Sequence, residues 1–220
     1  MFNKIKYILI LILFQFLMMQ NSDDYLNICR IHYDGGGDWY SDKSSLPNLI
    51  EFVQKNTNIK INSKELIVKI EDNQFLNNYY FYLTGHGNIK LSENETVILR
   101  KHLLNGAFLH VDDNYGLDKS FRKTLKQLFP DKNLIELPLD HGIFNCYYKF
   151  PNGLPKVHEH DNKPSQALGI FNNKKLILLY TYESDLGDGW EDQNVHNDPQ
   201  YIREEALKMG TNIVVYSIIQ

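Results

Sequence analysis

Apolar positions along this chain alternate between short continuous runs and runs spaced three or four residues apart. The first pattern marks buried strands and the second marks helices packed by one face. Residues 27–33, 65–70, 79–83, 107–112 and 134–137 are short runs rich in branched and aromatic side chains and predict strands. Between them, residues 46–56 set Leu49, Ile50 and Val53 on one helical face, with Pro47 in the first turn. Ser92 followed by Glu95 is a capping-box signature opening a helix through residue 103, and Gly106 fits its end. Residues 118–129 predict a further helix. Such β/α alternation implies a mostly parallel sheet with helices on both faces. The later part departs from that rhythm. Residues 166–171 and 174–181 flank Asn172-Asn173 and predict a β-hairpin added to the sheet edge. Residues 183–198 read as a polar loop. Asp198-Pro199 starts a helix that runs through Ile202, Ala206 and Met209, before Gly210 and a last apolar stretch. No repeat or low-complexity linker divides residues 27–218, which predicts a single α/β domain.

Residues 1–22 stand apart from this pattern. Lys4 and Lys6 precede an almost unbroken apolar run from Tyr7 to Met19, which resembles the charged and hydrophobic regions of a signal peptide. Asn21-Ser22-Asp23-Asp24 stops the run short of the roughly twenty residues that a spanning helix needs. Export to the periplasm or cell envelope is therefore expected, with membrane contact only through this segment. Met18-Met19-Gln20 lacks the small residues of a cleavage site, so an uncleaved, membrane-anchoring segment is the alternative.

Composition narrows the picture further. Among 220 residues, 43% are hydrophobic and 23% charged, enough for one large core and too apolar for a disordered chain. The net charge is -4, and no basic stripe is evident, which argues against nucleic acid as a partner. Two cysteines, Cys29 and Cys146, are too few for a disulfide framework or a thiolate zinc site and read as small buried hydrophobes. A single disulfide is allowed in an oxidising compartment.

Candidate chemistry gathers at strand ends. The run ending in Thr84-Gly85-His86-Gly87 and the run ending in His110-Val111-Asp112-Asp113 put polar groups where open parallel sheets bind ligands, outside the carboxyl ends of their strands. His86, Asp112, Asp113 and His141 are the candidate catalytic residues, as a general acid/base cluster acting on a small polar ligand. His86, Asp112 and His141 are also candidate ligands for a divalent metal such as zinc, manganese or non-haem iron. Adjacent residues on a strand point to opposite faces, so both aspartates reach one site only if Asp113 lies in the turn. A structural reading competes: either aspartate caps the following helix, and His86 closes a tight turn.

The loop Gly35-Gly36-Gly37-Asp38-Trp39-Tyr40 offers Gly36, Gly37, Asp38 and Trp39 as ligand-binding residues, through amides that can bind an anion and an aromatic platform. The acidic, glycine-rich Asp185–Asp192 stretch lacks the ligand spacing of an EF-hand and reads as a mobile lid or docking loop anchored by Trp190. His158, His160 and His196 are scattered over loops and are read as solvent-exposed, outside any site.

The segments from Arg30 to Tyr40, Tyr82 to Gly87, Gly106 to Asp113, His141 to Phe144 and Gly210 to Tyr216 together resemble the bacterial family called domain of unknown function 4159, over about residues 27–218. Ala107 departs from that pattern where a second Gly is usual, and Gly142 where Pro is usual. The resemblance implies a flavodoxin-like fold within the class I glutamine amidotransferase-like superfamily. Glutaminases of that superfamily carry a nucleophilic Cys directly after the strand corresponding to Ala107–Val111. Here Asp112-Asp113-Asn114 follows, so no thiol is available for a thioester and glutaminase activity is not expected. Two functions remain in view: an exported domain that binds or hydrolyses a small polar ligand, and a non-catalytic module that docks an envelope protein through residues 35–40 and 185–192.

Overall fold

The computed structural model describes residues 25–220. The predicted signal segment, residues 1–22, lies outside the described residues. Seven strands form one sheet: β1 (Ile28–Ile31), β2 (Leu66–Val68), β3 (Tyr80–Leu83), β4 (Phe108–Asp112), β5 (Ile135–Glu136), β6 (Gln166–Asn172) and β7 (Lys175–Tyr182). Their spatial order is β2-β1-β3-β4-β7-β6-β5. Pairings from β2 through β7 are parallel, while β6 runs antiparallel to both β7 and β5.

Helices α1 (Ser45–Asn56), α2 (Asn73–Leu76), α3 (Glu93–Leu104), α4 (Asp118–Leu128), α5 (Leu186–Trp190), α6 (Gln193–His196) and α7 (Gln200–Ile219) complete the fold. The capping box of α3 forms as its sequence predicts, with Glu95 N donating to Ser92 Oγ at 3.0 Å and Ser92 N to Glu95 Oε2 at 2.7 Å. The alternation of β4 separates two cores. Leu109 and Val111 pack with Leu99, Leu103, Phe121 and Leu125 of α3 and α4. Phe108 lies on the other face with Leu46 and Leu49 of α1, Trp190 of α5 and Ile213 of α7. Both faces of the central strands are buried, which explains why they read as continuous apolar runs.

Three expectations need correction. The hairpin is not an edge addition: β7 inserts beside β4, and β5 is the edge strand on that side. Its turn is Asn173-Lys174, both with positive φ, one residue beyond the predicted pair. Residues 183–198 are not a loop throughout, since they contain α5 and α6. Gly210 does not end the last helix, which runs unbroken to Ile219. A Cβ at Gly210 would stand 2.6 Å from Leu49 Cδ1 and 2.9 Å from Trp190 Cζ2, so glycine is required there by close packing of α1, α5 and α7. Both cysteines are free, Cys29 being buried in β1. Among the described residues no helix is long and apolar enough to cross a membrane.

Candidate metal centre

The carboxyl ends of β1, β3, β4 and β7 form one rim, but the four residues chosen from the sequence do not meet there. Asp112, the last residue of β4, is fully buried and turned toward α5. Its Oδ2 accepts from Gly187 N at 2.7 Å and lies 3.5 Å from the Tyr82 hydroxyl, and its Oδ1 is bonded to Thr181 Oγ1. Burial drives its carboxyl well above the usual range, more than these hydrogen bonds lower it. A Cβ at Gly187 would fall 2.7 Å from the Tyr82 hydroxyl and 2.8 Å from Asp42 Oδ2, so only glycine lets α5 approach. Asp113 faces the opposite side, where its Oδ1 accepts from Leu117 N at 3.0 Å and closes the turn before α4.

His86 is also structural. Its Nδ1 lies 3.0 Å from Asp38 Oδ2, and its backbone N donates to Asp38 Oδ1. This pair staples the Gly-His-Gly loop to the loop after β1. Gly37 N donates to Asn88 O at 2.8 Å, and Trp39 stacks on His32 at 4.1 Å. The amide of Gly37, the carboxylate of Asp38 and the ring of Trp39 are thus engaged within the protein, while Gly36 stays open.

His141 stands elsewhere altogether. Its Nε2 is 3.3 Å from the Tyr216 hydroxyl, and its ring meets Phe171. Phe171 pairs with Leu176 at the start of β7, the end of the strands opposite Asp112. His86, Asp112 and His141 therefore cannot share one metal ion.

A different set converges. The segment before β6 is fastened to the end of β7 by Val157 N to Ser184 O at 2.8 Å and Ser184 Oγ to Pro155 O at 2.6 Å. This brings His158 and His160 against Asp185 and Asp188, while His196 arrives from α6 and Asp198 from the start of α7. His158 Nδ1 lies 3.0 Å from Asp188 Oδ2 and 3.5 Å from Asp185 Oδ2, and its Nε2 lies 3.1 Å from Asp198 Oδ1. His160 Nε2 bonds Asp185 Oδ2. His196 Nε2 reaches Glu191 Oε2 at 3.0 Å and Asp188 Oδ1 at 3.7 Å. In each of two triplets, His158–His160–Asp185 and His158–Asp188–His196, the ligand atoms lie within 4.8 Å of one another.

Three features distinguish this cluster from a solvated acidic face. Asp185 has a side chain only 1% exposed, yet its Oδ1 has no hydrogen-bond partner, and Asp198 Oδ2 is likewise buried and unpartnered. Such atoms are uncommon unless an ion or water completes them. Second, Glu183, Asp185 and Asn197 all hold φ between 54° and 59°, a left-handed conformation that non-glycine residues adopt at some cost. Third, negative charge is concentrated here. Hydrogen bonds to Asp185 and Asp188 raise the His158 imidazole to about 10, and burial, then Asp188 and Glu191, raise the Asp42 carboxyl to about 7. Without an ion, His158 is the protonated cation of the cluster at neutral pH.

The donors are nitrogen and oxygen only, a set suited to zinc, manganese or iron. With an ion on Nδ1 of His158, Asp198 would orient the ring through Nε2, the usual arrangement of a metal-bound histidine. His160 and His196 are exposed and Asp185 is buried, so the cluster opens to solvent on its histidine side.

His158, His160 and His196, expected to be scattered over loops, instead meet carboxylates in one cluster. The signal in the sequence was the His158-x-His160 pair beside a second acidic pair, Asp185 and Asp188. The same packing removes Asp185–Asp192 as a mobile lid, because Leu186 to Trp190 are buried and Trp190 Nε1 donates to Ala206 O at 2.8 Å.

The architecture and this cluster define an α/β domain with a histidine–carboxylate centre at the carboxyl rim of its sheet. The chain matches the family described as Domain of unknown function (DUF4159) over residues 27–218, and it belongs to that family. No curated protein matches it.

Proposed function

We propose that this protein is a metal-dependent domain that binds and hydrolyses a small polar ligand at the rim formed by His158, His160, Asp185, Asp188 and His196. The single observation that carries the reading is the buried, unpartnered Asp185 Oδ1 beside the imidazoles of His158 and His160. A divalent ion at such a site supplies a water acidified toward neutral pH and a Lewis acid for a polarised oxygen. The chain's own groups hold the ion, exclude water from its inner side through buried Asp185, and leave the His160 and His196 side open for the ligand.

The strand order β2-β1-β3-β4-β7 matches the flavodoxin-like succession, which supports placing the fold among the class I glutamine amidotransferase-like domains. In that setting the missing cysteine after β4 is replaced functionally by a centre built from the segments before β6 and after β7. Export to the cell envelope is part of the proposal and rests on the apolar run of residues 7–19. A docking role through residues 185–192 has less support, because most of that stretch is interior.

The test is elemental analysis and metal-dependent thermal shift on the full-length chain, wild type against His160→Ala/His196→Ala. Stoichiometric metal and a stabilisation lost in the double variant are expected. Absence of metal, together with melting curves that no divalent ion moves, would refute the reading.

A further inference from the structure

On the other face of the sheet, a cleft of about 630 Å³ opens between the loop after β3 and helix α4. Lys90 lines one wall and Lys119 and Lys123, one helical turn apart, line the other, while no Asp or Glu lines it. None of these three ammonium groups has a carboxylate partner among the described residues, in contrast to Lys156, Lys163 and Lys208, which are all paired. The nearest acid on the helix, Asp118, is already taken by Arg122 at 2.6 Å and the Tyr180 hydroxyl at 2.9 Å. The walls are locked together: Ser120 Oγ accepts from Ile89 N at 2.9 Å and donates to Ile89 O at 3.1 Å. The cleft therefore exists before anything binds.

Three unpaired cations concentrated in one cleft of a chain with net charge -4 form a local field opposite in sign to the whole. Lysine acts as a point charge toward phosphate and carboxylate oxygens. The volume exceeds that of a lone inorganic anion and falls in the ordinary range for small-molecule sites.

We infer that this cleft binds a small organic anion carrying two or more negative charges, a phosphate ester or a polycarboxylate, held by Lys90, Lys119 and Lys123. The site is separate from the histidine centre but near it in space. Gly116 lines the cleft, and the neighbouring Tyr115 stacks on His160 at 4.2 Å. Binding here does not require the metal.

The experiment is calorimetric titration of the full-length chain, freed of metal on a chelating resin, with pyrophosphate and with citrate. Wild type and His160→Ala/His196→Ala should bind at least one of these anions alike. Lys119→Gln/Lys123→Gln should weaken it about tenfold or more, and Lys119→Arg/Lys123→Arg should retain it. Binding of pyrophosphate alone assigns a phosphate ligand, and of citrate alone a carboxylate; both support the shared chemistry. The inference is overturned if neither anion binds, if the glutamine variant binds as wild type does, or if binding disappears only in the histidine variant, which would place the anion at the metal centre.

Discussion

Asp112→Asn should stabilise this protein, and by an amount that grows with pH. The carboxyl of Asp112 is fully buried, and desolvation raises its folded-state value well above 3.8. A raised folded value means that the group's contribution is fully present below 3.8 and is lost as pH rises from there toward the folded value. Each pH unit within that window costs about 1.4 kcal/mol, so the loss grows steadily until the pH reaches the folded value. Asparagine is neutral throughout and avoids this loss. Its Oδ1 can accept from Gly187 N, which now sits at 2.7 Å, while its amide nitrogen donates to Thr181 Oγ1. The Thr181 hydroxyl can then donate its hydrogen bond to His110 Nε2 at 3.0 Å or Val111 O at 3.3 Å. His110 is held down to about 3 by burial and stays neutral across the window. Asp113, raised to about 6, and Asp42, raised to about 7, are present in both proteins and cancel in the difference to first order. Urea unfolding of metal-free wild type and variant between pH 4 and pH 7 measures this directly. The two should agree within about 1 kcal/mol near pH 4 and then separate in favour of Asn by about 1.4 kcal/mol per pH unit until the folded value is reached. A difference that does not change with pH, or an Asn variant weaker throughout, would show that Asp112 is ionised in the fold.

Other consequences are more local. His86→Ala and His141→Ala should leave metal-induced stabilisation intact, checked by the same thermal shift used for the histidine centre, and loss of that shift in either would return these residues to the site. His86→Ala alone should cost no more than about 1 kcal/mol in chemical denaturation, since its pair with Asp38 is exposed. Gly210→Ala should destabilise by up to about 2 kcal/mol: overpacking against Leu49 and Trp190 costs about 1–3 kcal/mol, and the better helix former returns about 1. Arg30 is 3% exposed, pairs with Glu65 at 2.7 Å and donates to Ser41 O at 2.9 Å, so Arg30→Met should cost about 3–5 kcal/mol by urea denaturation. A loss under 1 kcal/mol would mean that Glu65 finds water instead.

What could be read from the chain follows from how local each interaction is. The capping box of α3 needs only Ser92 and Glu95, and the β/α alternation needs only the spacing of apolar residues, so both were legible. The rule that neighbours on a strand point apart is local as well. Yet the expectation that Asp112 and Asp113 share one site needed Asp113 to turn back beyond the strand end, and Asp113 instead closes the turn before α4. Gly210 misled because a glycine that ends a helix and one that admits a neighbouring tryptophan look the same in one dimension. The position of β7 was hidden for a related reason: a hairpin's own turn fixes how its strands pair, and says nothing of which outer face meets β4. The histidine centre is the extreme case. Its donors come from residues 158–160, 185–188 and 196–198, three segments with no shared periodicity, and they meet only because Ser184 ties the first to the second and the buried Trp190 holds α5 against α7. Each histidine taken singly looked like a solvated loop residue, because loop sequence is unconstrained by packing. The informative quantity is therefore the number of polar atoms that the finished fold buries without a partner. By that measure Asp185, at a left-handed turn of the chain and with an unmatched oxygen, marks the centre more surely than any motif does.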